Sequence, residues 1–594
     1  MAYFLVVWNV LLFTSLASGF YGLKRFQLPD YISPIQYDIV RLWLGLAIQC
    51  LVLLVLGFFI PLNLILLVFV SVIIAEPFIL NLIRPRNKFR PSEFLTYFAD
   101  FLRRVGLPLF LAQIVLATLL LRPIVWFDTG LYHLGAARWL AEHGFVPGLA
   151  LMNAKFGFVS SWFALTASIV PGFIGDHIGP ASNGFLLVIS SCSLILVLGE
   201  WHKDKKIPLE NFFLITYLLG LTSLYLASWA VGESILVSLS HDLPVNYMVG
   251  ILCWLLLIAA KPKASDVHQP GQTLDIHLIV LILAAIIVSF KLTGLFLLPI
   301  ALAVYGLKQP SSLKRWGMGL GVSGLTLLPL AIAQIITSGC LLYPSQSFCL
   351  AVPWALPATK IAKEADYIVS GGFLPSFSKN LLAIPASIWS AWSEASDYAP
   401  KVMLATLLLL LSSLLIVWRV FKCKDRPPGE NWIILVGICG SLFIFTVNSY
   451  VIFRFGGGII LILPTYFLAL FIHRFFLHKK RRQALSRRRM GAPSSSPSHQ
   501  LRAVMSLVLL GAMIAMIAVN PGGLMEYAFL PPPVPEADLL YANENGIAYT
   551  LPEDGYVRCW NAELPCAPNP LNEIHFRDPQ QGLGGGFIHI EEPE

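Results

Sequence analysis

The chain has 594 residues, of which 57% are hydrophobic and 12% charged, and its mean hydropathy is +0.73. A soluble domain carries about 25% charged residues, so this composition excludes an ordinary soluble fold and points to lipid as the solvent. The net charge of +8 does not signal nucleic acid, because Lys and Arg fall in short clusters between apolar runs, as in the cytoplasmic loops of membrane proteins.

The opening MAYFLVVWNVLLFTSLASGF has no basic stretch before its apolar run and is followed by Lys24 and Arg25. It reads as a retained span with its N-terminus outside, not as a signal peptide. Further apolar segments follow near 39–60, 62–83, 105–126, 181–200, 210–230, 243–260, 274–290, 293–307, 316–337, 401–420, 432–453, 458–477 and 503–519. A helix needs roughly 20 residues to cross the hydrocarbon layer, so the pattern predicts an all-α polytopic membrane protein of about 14 transmembrane helices. The segments 274–290 and 293–307 are short and separated by Lys291. They form either a tight hairpin or a re-entrant pair, and the count shifts by about two between these readings.

Alternating the spans from an outside N-terminus places 30 of the 41 basic residues on the inside, most densely in the cytoplasmic basic loop 473–502 with its run HKKRRQALSRRR. That run is explained by topology and anionic lipid, and the following GAPSSSPS by a flexible linker. Three parts face outward: the loops 127–180 and 338–400, and an appendage, 520–594, with 12 acidic residues against Arg558 and Arg577. A shorter outer loop spans 231–243. The membrane domain is therefore 1–519, and the appendage is expected to be a small exported unit of short strands or coil. Cys340 and Cys349 fall in one outer part and Cys559 and Cys566 in another. Two close pairs on the oxidising side predict two small-loop disulfides.

The stretch FDTGLYHLGAARWLAEHGFVPGLALMNAKFGFVSSWFAL, 127–165, begins as the fourth span reaches the outer surface. Gly130 to Glu142 reads as an amphipathic helix at the interface, ended by Gly144 and turned by Pro147-Gly148. Asp128 sits at or just before its start. One reading is an N-cap, with the carboxylate accepting helix amides. The other is chemical, because Tyr132, His133, Arg138, Lys155 and Trp162 follow at the same surface. An acid can take a proton from an acceptor hydroxyl, cations can stabilise a departing phosphate, and aromatic rings can stack on a sugar.

Asp128, Tyr132, Gly144 to Pro147, Lys155 and Trp162 together resemble the first outer loop of GT-C-fold glycosyltransferases, the class of the aminoarabinose transferases and protein O-mannosyltransferases. The resemblance implies a polyprenyl-phosphate sugar donor, Asp128 as the base that activates the acceptor, and Lys155 as a ligand of the donor phosphate. It covers about 35 residues plus the general topology. The chain departs from the class in placing its acid after the fourth span, not the first, and in carrying Thr129 where many members have a second acid. Use of a divalent metal stays open on that account. Over most of its length, with the pieces SHDLPV, SFKLTG, SGCLLYPS and FRFGGG, the chain also resembles a group of bacterial polytopic membrane proteins that carries no assigned activity.

Arg454, before Gly456–Gly458, either snorkels to headgroups or binds a lipid phosphate that the glycines let approach. His241 and Asp242, with Glu233, lie in the loop 231–243. There an acid is either a turn residue or the second carboxylate missing beside Asp128. Lys291 is either a hairpin-tip lysine or a boundary cation in need of a partner. GLGGGF lacks the strand–helix context of a dinucleotide site, and no Cys/His spacing suggests a structural metal.

The sequence thus predicts a GT-C-like transferase in a bacterial inner membrane, with active site and C-terminus on the outer side. Its partners would be membrane lipid, a polyprenyl-phosphate sugar and an acceptor. The rival classes are a transporter or flippase and a non-catalytic membrane subunit. A transporter would place ionisable groups in mid-span, where this chain has few.

Overall fold

The computed structural model describes residues 1–63, 93–170, 175–204, 207–230, 235–261, 273–308, 312–370, 399–422, 426–447, 452–487, 525–553 and 557–590. Almost all of the predicted span 62–83 and the whole of 503–519 lie outside the described residues. So do Glu233, residues 371–398 of the second long outer loop and 488–502 of the basic loop.

The chain opens with helices α1 (Ala2–Leu23), α2 (Pro34–Leu56) and α3 (Glu93–Leu120). Three short helices, α4 (Leu134–Glu142), α5 (Leu149–Met152) and α6 (Ser161–Ala167), build the segment after α3. Then come α7 (Ala181–Asp204), α8 (Leu209–Ala230), α9 (Asp242–Ala259), α10 (Ile276–Phe290), α11 (Leu297–Gly306) and α12 (Leu313–Ser338). Helix α13 (Ala358–Ser370) belongs to the next loop, and α14 (Ala399–Lys422), α15 (Glu430–Val447) and α16 (Ile452–Arg487) complete the bundle.

Eight of these, α1, α2, α3, α7, α8, α9, α12 and α16, are long and apolar enough to cross a membrane, and α10, α11 and parts of α14 and α15 are shorter apolar helices. The protein is a helical membrane protein. Helix α9 forms the centre, buried along its whole length and packed on α8, α10 and α16. Helix α14 is peripheral: Leu410, Leu411, Leu414, Val417 and Trp418 are each more than half exposed. Such a continuous apolar stripe would be costly in water and is the ordinary face of a helix in lipid.

Local chemistry sets the helix ends. Ser33 and Gln36 form a reciprocal capping box ahead of α2, with Pro34 in its first turn. Asp275 caps α10 by accepting from the amides of His277 and Leu278 at 3.0 and 3.2 Å. Gly339, at φ +79°, ends α12. Ion pairs gather at the end of the bundle remote from residue 128. Asp275 meets Arg315 at 2.9 Å, Asp38 meets Arg104 at 2.6 Å, and Arg419 grips both oxygens of Glu430 at 2.8 and 2.7 Å. The last pair is almost fully buried, and Tyr466 of α16 donates to the same carboxylate at 3.0 Å. This ties α14, α15 and α16 together.

The appendage folds as two small antiparallel hairpins. Strand β1 (Leu539–Glu544) pairs with β2 (Ile547–Pro552) through an Asn545-Gly546 turn in which both residues have positive φ. Strand β3 (Ile574–Phe576) pairs with β4 (Phe587–His589). Disulfides join Cys340 to Cys349 and Cys559 to Cys566. The appendage is fastened to the membrane domain by backbone bonds. Ala2 and Tyr3 donate to the carbonyls of Ala528 and Phe529, Val534 to that of Asp176, Trp560 to that of Gly130, and Phe587 to that of Pro147.

Helices α1 and α2 make the closest approach in the bundle, because glycine removes a side chain at both contact points. A Cβ on Gly19 would lie 1.8 Å from the carbonyl oxygen of Arg41, and one on Gly45 would lie 1.7 Å from that of Ser15. With backbones this near, Ser15 reaches Gln49 at 2.7 Å. Gly45→Val should therefore lower the thermal midpoint of the detergent-solubilised protein by the equivalent of about 1–3 kcal/mol or more. Gly317→Ala, where a Cβ meets nothing within 4 Å, should leave it nearly unchanged. Equal midpoints for the two variants would refute this packing.

Candidate functional site

The chain leaves α3 at Leu120 and enters α4 through a π-helical turn, Thr129–His133, in which the amide of Leu134 reaches back to the carbonyl of Thr129. Single π turns inside helices are frequent at functional sites, because the extra residue re-aims its neighbours. Here it turns Tyr132 and His133 inward, at 7% and 0% exposure. Asp128 occupies the N-cap position but makes no capping hydrogen bond. Its carboxylate instead pairs with Arg454 near the start of α16. The N-cap reading of Asp128 does not hold in this geometry.

Arg454 has a second acid. Its Nε donates to Asp242 Oδ2 at 3.1 Å, and Asp242 Oδ1 accepts from Lys291. Ser240 Oγ completes the Asp242 shell at 2.9 Å from Oδ2. The four charged groups run Asp128, Arg454, Asp242, Lys291 in alternating sign, as buried charges must if they are to remain charged. Aromatic faces hold the cations: Arg454 lies 5.3 Å from the ring of Trp126 and 5.1 Å from that of Phe455, and Lys291 lies 3.9 Å over Phe455.

Lys291 reaches this position because its extended backbone breaks the chain between α10 and α11. Asn246 anchors α16 against α9 by donating to the Arg454 carbonyl at 3.1 Å and accepting from the Gly458 amide at 3.0 Å. A Cβ on Gly458 would meet Asn246 O at 2.5 Å. In this structure the glycine run after Arg454 admits a neighbouring helix.

Beside the charged chain sits an aromatic and imidazole cluster. The rings of His133 and His241 are 5.5 Å apart, and Phe163 lies 5.4 Å from the first and 4.8 Å from the second. Tyr132 packs against His133 at 4.4 Å. His133 Nε2 and His241 Nδ1 are buried and, among the described residues, have no hydrogen-bond partner. Burial, with the Lys291 charge adding to it, holds both imidazoles well below their ordinary pKa, and at His241 the neighbouring His133 contributes as well. Burial, then Asp242, Glu364 and Tyr367, pushes the Tyr132 phenol far up. Neutral histidines and a neutral tyrosine suit hydrogen bonding to an uncharged polar ligand.

Lys155 lies in the loop ahead of α6, with Glu364 Oε2 of α13 at 2.5 Å and the ring of Tyr367 at 4.2 Å. The structure thus brings together Asp128, Tyr132, His133, His241, Asp242, Lys291 and Arg454, with Lys155 joined to the α13 side. It places two candidates elsewhere. Arg138 is bound to Glu142 at 2.9 Å and to the carbonyls of Asn561 and Ala562, so it clamps the appendage. Trp162 is fully buried and donates to Asn183 at 3.1 Å, a packing role in α6. Phe163, Ser240 and Glu364 join the site without having been singled out in the sequence. Only Glu364 carried a signal, as an acid on an amphipathic run in an outer loop. Among the described residues no three His, Cys, Asp or Glu side chains form a group that could hold a metal ion.

A buried imidazole held neutral in the folded state costs stability once the unfolded chain begins to take up protons. Both histidines have folded pKa values below the unfolded value of 6.5. Stability should therefore be level above about pH 6.5 and fall as the pH drops below it, by at most about 1.4 kcal/mol per pH unit per histidine. Thermal midpoints of wild type and of His133→Gln and His241→Gln between pH 7.5 and 5 test this. The acid-side slope should shallow in each variant, and an unchanged slope in both would refute it.

No curated protein and no solved structure matches the chain. One family model does, described as a domain of unknown function (DUF8201), and its matched stretch contains every residue of the charged chain from Asp128 to Arg454. Matched over residues 1–461, the chain belongs to the DUF8201 family.

Proposed function

We propose that the protein is a membrane glycosyltransferase, which moves a sugar from a polyprenyl-phosphate donor to an acceptor on the non-cytoplasmic face of a bacterial inner membrane. The observation that carries this reading is Asp128. Its carboxylate is spared from capping and pairs with Arg454, whose second acid, Asp242, holds Lys291, where the chain leaves a long apolar helix. The outward placement rests on the inside bias of Lys and Arg over about fourteen crossings and on two disulfides in the parts assigned to the oxidising side.

The chemistry follows from the geometry. A donor phosphate entering between Arg454 and Lys291 competes with the two carboxylates for those cations, and Asp128 is released as a base. Asp128 takes the proton of an acceptor hydroxyl. The oxygen attacks the anomeric carbon, the bond from that carbon to the phosphate oxygen breaks, and polyprenyl phosphate leaves with the electron pair. Attack opposite the leaving group inverts the configuration. The charge on the departing phosphate is met by Arg454 and Lys291. Tyr132, His133 and His241 would hydrogen-bond the sugar. Lys155 is a donor-phosphate ligand only after it exchanges Glu364 for the phosphate.

Transfer from a radiolabelled panel of polyprenyl-phosphate sugars tests the reading. Asp128→Asn should lower turnover by about 100-fold or more while the protein stays folded, with at most a small drop in its melting midpoint because Arg454 keeps Asp242. Arg454→Lys, which keeps the charge but loses the fork, should raise the donor KM. Donor binding without turnover in wild type would favour a carrier, and turnover untouched in Asp128→Asn would remove Asp128 from the chemistry.

A further inference from the structure

The appendage is docked on the turn that carries Asp128. The indole of Trp560 covers Gly130 so closely that a Cβ there would lie 2.7 Å from a ring carbon, and the Trp560 amide donates to the Gly130 carbonyl at 3.1 Å. The Cys559–Cys566 disulfide closes the loop that presents Trp560, and Arg138 of α4 holds the next two carbonyls of that loop. This fastening leaves a cleft of about 210 Å³ between Val125 of the membrane domain and Glu536, Asp538, Pro552, Arg558 and Trp560 of the appendage.

Arg558 is held over the rings of Phe127 and Trp560, 5.5 Å from each, and among the described residues its guanidinium makes no ion pair. Among the described residues neither Glu536 nor Asp538 makes an ion pair. Two exposed carboxylates and one ring-stacked guanidinium thus line one small space beside an indole and a proline. That combination suits a ring bearing several hydroxyls: carboxylates accept from adjacent hydroxyls, the guanidinium donates to ring or hydroxyl oxygens, and the apolar walls meet its C–H faces. The volume, below the roughly 300–1,000 Å³ of pockets for drug-sized ligands, suits one monosaccharide unit. Phe127, beneath Arg558, is the chain neighbour of Asp128.

We propose that this cleft is a saccharide-binding subsite, which receives the acceptor beside Asp128. The assignment of the occupant as acceptor rests on the glycosyl-transfer reading. The binding chemistry does not.

Saturation-transfer NMR on the full chain in lipid nanodiscs tests it, with methyl glucoside, methyl glucosaminide and methyl glucuronide as probes and no lipid donor. The neutral and amino glycosides should bind saturably, and the glucuronide more weakly, because two carboxylates face one arginine. The double variant Glu536→Gln/Asp538→Asn and the single variant Arg558→Ala should each weaken binding by about tenfold, and Arg558→Lys should recover part of the loss. No saturable binding, or binding equal in wild type and both weakening variants, overturns the proposal. Glycoside binding that the variants weaken, in a protein that transfers no sugar, keeps the cleft and removes the transferase reading. Transfer with an acceptor KM unchanged by the variants keeps the transferase and removes the cleft.

Discussion

Arg454 lies between two carboxylates that are far apart in sequence, Asp128 and Asp242. The site depends on that placement. Charged groups taken out of water are tolerated only with partners, so each of the three holds the other two in position. Because Asp128 precedes α4, Asp242 opens α9 and Arg454 belongs to the first turn of α16, satisfying the charges also fixes three elements at one end of the bundle. Lys291 adds the break between α10 and α11 to the same knot.

The rest of the bundle serves that end. The core is mostly apolar, with buried polar side chains such as Ser15 and Gln49 bonded to one another, and the α1–α2 contact is made close by missing side chains. At the remote end Arg419 and Glu430 form a two-oxygen pair between neighbouring helices, while Asp38 and Asp275 are each shared by more than one cation. At the site end the pairs are also shared. Asp242 answers to Arg454 and Lys291, and Arg454 answers to Asp242 and Asp128. A shared pair is easier for an incoming anion to reorganise than a bidentate one, because each ion retains a partner when another is lost.

Much of this was legible in the sequence, and the reason is the solvent. Lipid demands long apolar helices, which a one-dimensional pattern reveals, and it concentrates unusual charges at boundaries, where Asp128, Asp242, Lys291 and Arg454 stood out. The cysteine pairs were legible because each lies within a short loop. What could not be read was assignment across distance. Arg138 and Lys155 are both cations just after Asp128, yet one clamps the appendage and the other faces Glu364, a partner 209 positions away. Trp162 looked like a sugar platform and is a core residue, since spacing cannot tell an inward face from a ligand face. The π turn was also hidden, because no residue type requires one. The glycines after Arg454 were read as room for a phosphate, but the same absence of side chains admits α9.

The contact of Trp560 with Gly130 spans 430 positions of chain, and this has a consequence for biogenesis. The turn that bears Asp128 is made 430 residues before the loop that braces it. During insertion the early turn has neither its indole cover nor the appendage wall of the cleft. The assembled site therefore comes into being only when residue 560 has been translated and has arrived on the same face as residue 130. Until then the charged chain, complete once Arg454 has been made, lacks the cover that Trp560 gives the turn at its start.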